Sequence, residues 1–243
     1  MARTLLVRGM LVGLVAGVLA FGFASLFGES PIDQAIAFEG AHVHGADGPE
    51  LVSRAVQSTF GLLVAVGLYG AALGGVFALA FAFVYGRLGQ LAARATSVLV
   101  AAVGFVAVYL VPFVKYPANP PAVGHPDTIG RRSTLYLLMV LISVLAAVGA
   151  VLVGRASAAR LARWNAVLLG VGTFVAVVAV AGLVLPRIDE VAGDFPATVL
   201  WRFRLASVGT QLVLWTTFGL LFGALTERSL RRRAAAAHVV PAG

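Results

Sequence analysis

Hydrophobic residues along the chain fall into six long blocks separated by shorter polar segments. The blocks predict helices at about 5–27, 59–84, 96–114, 134–154, 164–185 and 204–225. A helix rises about 1.5 Å per residue, so about 20 residues cross the hydrocarbon core of a bilayer. None of the blocks carries the charged stripe that a helix of a soluble bundle would show. A β-barrel is not expected, because alternating segments of about ten residues are absent.

Composition supports a membrane protein. Hydrophobic residues make up 60% of the 243-residue chain and charged residues 12%, whereas soluble domains average about 25% charged residues. The net charge of +8 does not indicate nucleic-acid binding, since basic residues beside apolar spans are what membrane topology requires. The first apolar run is longer than the roughly 7–15 residues of a signal-peptide core, so we expect a retained helix. There is no cysteine, which excludes disulfides and thiolate metal sites.

The distribution of charge predicts the orientation of the spans. With the N-terminus in the cytoplasm, eleven of the 18 Lys and Arg residues lie inside and seven outside, as the positive-inside rule favours. Nine of the ten acidic residues lie outside, and Glu227 is the one inside. An anionic outer face concentrates cations, although avoidance of acids among basic inner loops would give the same division.

These patterns predict an all-α integral membrane protein of the cytoplasmic (inner) cell membrane. We expect a multi-pass bundle of six transmembrane helices with cytoplasmic N- and C-termini and structured outer loops. One transmembrane domain is predicted over 1–227, followed by a basic, disordered tail over 228–243.

The first outer loop contains the residues best suited to bind a metal ion. Ser30 followed by Pro31 predicts a helix start, and a short helix in the membrane plane is expected here. Imidazole and carboxylate groups suit a divalent transition metal such as Co²⁺, and a solvated, flexible loop is the alternative. The candidate metal ligands are Asp33, Glu39, His42 and His44, with His125 from the second outer loop.

The second outer loop is rich in proline. Five prolines between Pro112 and Pro126 prevent a continuous helix and favour extended backbone. Non-helical backbone at membrane depth persists only where it is buried or lines a wet cavity, so a re-entrant filter and a rigid outer cap are both consistent with the loop. Candidate residues of a transport path here, with one from the first loop, are Glu29, Lys115, Tyr116, Pro117, Asn119, Pro120 and Pro121.

Polar residues continue into two of the spans. Buried polar groups in a bilayer need partners, so we expect two polar stripes that face each other or a wet vestibule. No charged residue lies near the centre of any span, which argues for a passive path or for one subunit of a larger assembly. The residues at these stripes are Arg54 and Gln57 in the second span and Arg202, Arg204, Ser207 and Gln211 in the last.

Small residues recur four apart in three of the spans, a spacing that permits close helix packing. Packing within one bundle is the main expectation, and contacts between copies of the chain are the alternative. The residues are Gly9, Gly13 and Gly17, then Gly70 and Gly74, then Gly219 and Gly223.

Three segments carry a resemblance to a known family. They are Gly28 to Asp33 with Glu39, Pro112 to Gly124 with Thr128, Ile129, Arg131 and Arg132, and Leu200 to Arg204 with Ser207 and Gln211. Through them the chain resembles the CbtA family of predicted cobalt transporter subunits over nearly its whole length. The resemblance implies cobalt import tied to cobalamin synthesis and a small partner, CbtB, with one span and a histidine-rich terminus. Relatives are often richer in histidine after the first acidic segment, where this chain has His42 and His44.

The leading hypothesis is a membrane subunit of a Co²⁺ uptake transporter whose outer face recruits the divalent metal. The alternative is a non-transporting accessory protein that holds a small metal-binding partner subunit. An enzyme is not expected, because the chain has no Ser/His/Asp spacing and no Gly-rich phosphate loop. We expect no permanently bound cofactor, with Co²⁺ as the transported ion. The expected partners are the lipid bilayer, a CbtB-type subunit and, through the glycines, further copies of the chain.

Overall fold

The computed structural model describes residues 2–42, 53–121, 123–124 and 126–239, without the side chains of residues 42, 54, 126 and 237–239. Within these ranges the chain is helical and has no strand. Six helices of the described part of the chain are long and apolar enough to cross a membrane, which confirms the predicted all-α, six-span fold. The side of the membrane on which the termini lie stays a prediction.

Seven helices organise the described part of the chain. All but the second are candidate spans, and α7 continues past its apolar part to Val239. The helices are α1 (Ala2–Phe27), α2 (Glu29–His42), α3 (Gln57–Val84), α4 (Ala93–Lys115), α5 (Ile129–Ser157), α6 (Arg163–Val184) and α7 (from Ala197).

The structure differs from the sequence prediction at both ends of α7. The helix begins at Ala197, directly after Pro196, because proline favours the start of a helix and the arginines that follow are good helix formers. The basic tail, expected to be disordered, is helical as far as Val239. Its run of arginine and alanine has high helix propensity, which the charge pattern alone does not reveal.

Packing divides the chain into two compact units. Unit 1 consists of Met1–Glu29, Gly45–Ala102 and Ala206–Gly243, and unit 2 consists of Ser30–His44 and Val103–Leu205. The single domain predicted over 1–227 stays a prediction.

In unit 1, α1 and α3 pack against each other through a glycine seam, formed by Gly9, Gly13 and Gly17 of α1 with Gly70 and Gly74 of α3. A Cβ atom added at Gly9 or Gly13 would overlap the carbonyl oxygen of Gly74 or Gly70, respectively. Such contacts require the two backbones to approach directly, as glycines in membrane helices allow. The predicted packing of these glycines within the chain is confirmed.

The core of unit 1 contains aromatic rings from α3 and α7. Phe77 stacks on Phe218 at a centroid distance of 5.3 Å, and Phe81 meets Phe222 edge-on at 5.1 Å. Phe218–Phe222 forms a π-helical turn, and both of its phenylalanines are fully buried. The wider turn therefore lies at the point where α7 supplies two rings to the core.

In unit 2, α5 and α6 pack as neighbours. A Cβ atom added at Gly170 would lie 2.7 Å from the carbonyl oxygen of Ala150, so the helices approach closely. The buried Ser143 hydroxyl of α5 donates to the carbonyl groups of Ala107 and Val140. Ala107 belongs to a π-helical stretch of α4, Phe105–Leu110. The serine hydroxyl therefore has hydrogen-bond partners, whereas a polar group without a partner in hydrocarbon would cost several kcal/mol.

Candidate functional site

Unit 2 contains a structured region that we call the loop cap. It consists of α2, the described part of the proline-rich loop (116–121 and 123–124), the segment 185–196 and the first residues of α7. Its small apolar core is formed by the buried Ala35, Val123, Phe195 and Val199, with Phe38, Val191 and Leu200 packed against them.

α2 is held in the loop cap by apolar contacts. Ala35 is fully buried, and the rings of Phe38 and Phe195 meet edge-on with centroids 5.1 Å apart. The helix predicted here is present, although it begins at Glu29, before Ser30 and Pro31; its position in the membrane plane stays a prediction. The side of α2 that carries Phe38 packs against other parts of the loop cap. An edge-on pair of aromatic rings adds to the stabilisation from burying apolar surface.

Arg204 fixes the proline-rich loop to α7. Its Nε donates to the carbonyl oxygen of Ala118 at 3.2 Å, and its Nη2 donates to Oδ1 of Asn119 at 3.0 Å. A planar guanidinium has several N–H groups in a fixed arrangement, so it can donate to both acceptors at once. Pro120, the next residue of the loop, is fully buried. Two oxygens of the loop are thus already occupied by a cationic side chain.

Tyr116 joins the proline-rich loop to the segment before α7. Its hydroxyl donates to the carbonyl oxygen of Pro186 at 2.9 Å, and Nζ of Lys115 lies 5.8 Å from the centre of its ring. Burial raises the pKa of Tyr116, and the positive charge of Arg131 partly opposes this shift. The phenol therefore stays protonated at neutral pH and remains a hydrogen-bond donor.

An ion pair closes the far end of the proline-rich loop. Arg132 and Glu190 approach to 3.5 Å with side chains 29% and 11% exposed, and Arg132 also donates to the carbonyl oxygen of Val123 at 3.5 Å. Gly124 has a φ of +106°. A Cβ atom there would meet the Arg132 guanidinium and lie 2.7 Å from Glu190 Oε2.

Sequence reasoning did not assign a role to Glu190. The residue is one of several acids in the third outer loop, and nothing local distinguishes it from Asp189 or Asp194. The adjacent Arg131 and Arg132, together with a glycine after the proline-rich motif, were the available indications of a paired carboxylate.

The candidate metal ligands are only partly within the described residues. Asp33 and Glu39 are exposed on α2; they are six residues apart, so the helix places them on different sides. The side chain of His42 is not among those described, and His44 and His125 lie outside the described residues. No three His or acidic side chains come together in the described part of the chain. The metal site stays a prediction.

The polar residues of the last span divide between two environments. Arg204 belongs to the loop cap of unit 2, whereas Ser207 and Gln211 belong to unit 1. The side chain of Gln211 lies near Tyr69 of α3, and its buried Oε1 has no hydrogen-bond partner within the described part of the chain. The predicted stripe from Arg204 to Gln211 therefore includes residues of both units, and its part in a transport path stays a prediction.

The remaining candidate path residues differ in exposure. Arg202 and Pro121 are exposed, and Glu29, Lys115 and Pro117 are half-buried. Gln57 is exposed at the start of α3, and the side chain of Arg54 is not among those described. The expectation that the stripes of the second and last spans face each other stays a prediction.

The geometry of the loop cap favours a rigid element over an open filter. A filter needs carbonyl oxygens that are free to replace the hydration shell of an ion. Here Ala118, Val123 and Pro186 give their oxygens to protein donors. The cap can hold α2 and its acidic side chains in a fixed position.

Comparison with family models identifies a family for the chain. No curated protein and no solved structure matches the chain. The family model described as probable cobalt transporter subunit (CbtA) matches residues 2–227, which include the loop cap, five complete spans and most of the sixth. The chain belongs to the CbtA family of probable cobalt transporter subunits.

Proposed function

We propose that the protein is the membrane-embedded subunit of a Co²⁺ uptake system. The observation that carries this proposal is the family match, which covers nearly all of the membrane-spanning part of the chain. The spans contain no charged residue near their centres, unlike the spans of proton-coupled pumps. Co²⁺ would therefore follow a passive path, or enter with the help of another subunit.

The loop cap gives this proposal a location for metal recruitment. Contacts of Ala35 and Phe38 hold α2 against the rest of the loop cap, so Glu39 is presented from a fixed helix instead of a free loop. Carboxylate and imidazole groups on the predicted outer side raise the local concentration of a divalent cation. Recruitment of this kind matters most when external Co²⁺ is scarce.

The first experiment measures uptake directly. Cells that express the chain together with a single-span CbtB-type partner should accumulate more labelled Co²⁺ than cells with an empty vector. Competition with Ni²⁺ and Zn²⁺ identifies the preferred metal. Equal accumulation in the two cell lines would show that the pair does not import Co²⁺.

A second experiment tests the recruiting residues. The triple substitution Glu39→Gln, His42→Ala, His44→Ala should slow uptake at low Co²⁺ and have little effect at saturating Co²⁺, because only the local ion concentration changes. His238→Ala, which alters a histidine on the predicted inner side, is the matched control. Unchanged uptake in the triple variant at low Co²⁺ would remove the recruiting site from the proposal.

The accessory function is the second candidate. Its supporting observation is that donors from Arg204, Tyr116 and Arg132 occupy oxygens of the loop cap, which suits a docking platform better than an ion path. Two results together would favour this candidate. The chain should form a stable complex with the small subunit, and cells that lack the chain should show the same Co²⁺ flux as cells that contain it.

A further inference from the structure

Two adjoining cavities lie in unit 1 beside the first turns of α1 and the basic part of α7, and α3 also lines the smaller one. Their volumes are about 220 Å³ and 620 Å³. Both are lined by Thr4, Arg8, Ser229 and Arg233, so we treat them as one feature, the Arg8 cavities. The Arg8 cavities belong to unit 1, whereas the loop cap belongs to unit 2. They have no part in the proposed metal recruitment.

The Arg8 cavities are strongly cationic. Arg228 and Arg232 line the larger one together with Arg8 and Arg233, and none of the residues that line either cavity is acidic. Four guanidinium groups around one space repel each other unless an anion occupies it.

The nearby carboxylate does not neutralise this charge. Glu227 accepts a hydrogen bond from Nη2 of Arg231 at 2.8 Å and another from the backbone N–H of Arg94 at 3.3 Å. Its side chain is 11% exposed, and it is not among the residues that line the cavities. The carboxylate is used to tie α7 to the start of α4.

The cavities combine this charge with hydroxyl groups and an apolar wall. Thr4 and Ser229 offer hydroxyl groups beside the arginines, and Leu5, Val7 and Leu11 supply apolar surface. Leu11 is 58% exposed on α1, in a helix that is apolar enough to lie in lipid. Guanidinium and hydroxyl donors beside apolar surface suit a phosphate that is attached to hydrocarbon.

We propose that the Arg8 cavities bind the phosphate group of an anionic phospholipid headgroup. The arginines and hydroxyls of α1 and α7 hold the phosphate, and the exposed apolar residues of α1 contact the upper part of an acyl chain. The lipid would occupy the leaflet on the side of both termini, which the charge distribution predicts to be the cytoplasmic one.

The test uses the full chain purified in non-ionic detergent, with lipid binding measured by native mass spectrometry. Phosphatidylglycerol should bind and phosphatidylcholine should not. Arg232→Gln with Arg233→Gln should weaken phosphatidylglycerol binding about tenfold, since each basic residue at such a surface contributes to the attraction. Both arginines are exposed, so the double variant should fold.

The matched control removes the same charge elsewhere. Arg155→Gln with Arg160→Gln changes two exposed arginines on the same predicted side, outside the cavities, and should leave binding unchanged. Equal loss in the two double variants would show attraction to overall positive charge and would overturn the proposal. If inorganic phosphate displaces bound phosphatidylglycerol as effectively as added phosphatidylglycerol does, the lipid assignment is overturned. The cavities would then be a site for a soluble anion.

Discussion

Arg204 connects α7 to the proline-rich loop through two hydrogen bonds made by one rigid group. A lysine at this position carries the same charge, but its donors lie on a single nitrogen. It lacks the planar guanidinium whose separate N–H groups reach two acceptors. The neighbouring Arg202 is exposed. The two arginines therefore provide a comparison in which charge and location along the helix are similar but the contacts differ.

Arg204→Lys should destabilise the protein by about 1–3 kcal/mol, because a lysine ammonium lacks the planar fork that donates to both half-buried acceptors of the loop at once. Arg202→Lys should be close to neutral. Thermal unfolding of the purified protein in detergent measures both. Equal melting temperatures for the two variants would contradict the role assigned to Arg204.

Gly124 adopts a backbone conformation that side chains rarely tolerate, beside a partly buried ion pair. Gly124→Ala should cost about 1–3 kcal/mol from backbone strain alone, and more because the new Cβ displaces Arg132 or Glu190. Gly130→Ala is the control, since nothing lies within 4 Å of a Cβ atom at that position and it is helical. If thermal unfolding shows the same stability for both alanine variants, the ion pair does not require glycine.

At the scale of helices, the glycine seam determines how closely α1 and α3 approach. A larger side chain in the seam must push one backbone away from the other over several turns. The remaining glycine of α1, Gly22, has no such constraint, because nothing lies within 4 Å of a Cβ atom added there.

Gly13→Val should destabilise unit 1 by roughly 2 kcal/mol or more, as overpacking against backbone does, whereas Gly22→Val should be tolerated. Folded protein recovered from membranes, together with its melting temperature, reports both effects. Tolerance of valine at Gly13 would mean that α1 and α3 do not meet through the seam in the membrane.

The helices were largely predictable from local pattern, and the contacts of the loop cap were not. Hydropathy identified all six spans because each needs an apolar run of bilayer length. The glycine spacing also indicated close packing, although it did not show that Gly9 would meet Gly74. The pairs Arg204–Asn119 and Phe38–Phe195 join residues far apart in sequence, and no local rule selects one such pair over its neighbours. The start of α7 was missed because Arg202 and Arg204 interrupt the apolar pattern without interrupting the helix.

For the whole molecule, the arrangement of the termini follows from the Arg8 cavities. Ala2 and Arg233 line the same cavity, so the first and last helices present these ends on one side of unit 1. An even number of spans requires the same result. Charge distribution then predicts that this side is cytoplasmic.

The absence of cysteine from the sequence allows a direct test of orientation. A membrane-impermeant maleimide should label Ala192→Cys in intact cells, and should label Ala158→Cys only after the membrane is permeabilised. Both positions are exposed, one in the loop before α7 and one after α5. The reverse labelling pattern would show that the termini are outside.

The composition of unit 1 has a consequence for the order of biosynthesis. The ribosome makes α1 and α3 early, but Phe218 and Phe222, which cover Phe77 and Phe81, emerge only with the final span. Until then α1 and α3 are held together by the glycine seam. The aromatic side chains of α3 that α7 later covers stay exposed to lipid during this time. Translation that stops before residue 206 would leave that surface uncovered, so such fragments should be substrates for membrane quality-control proteases.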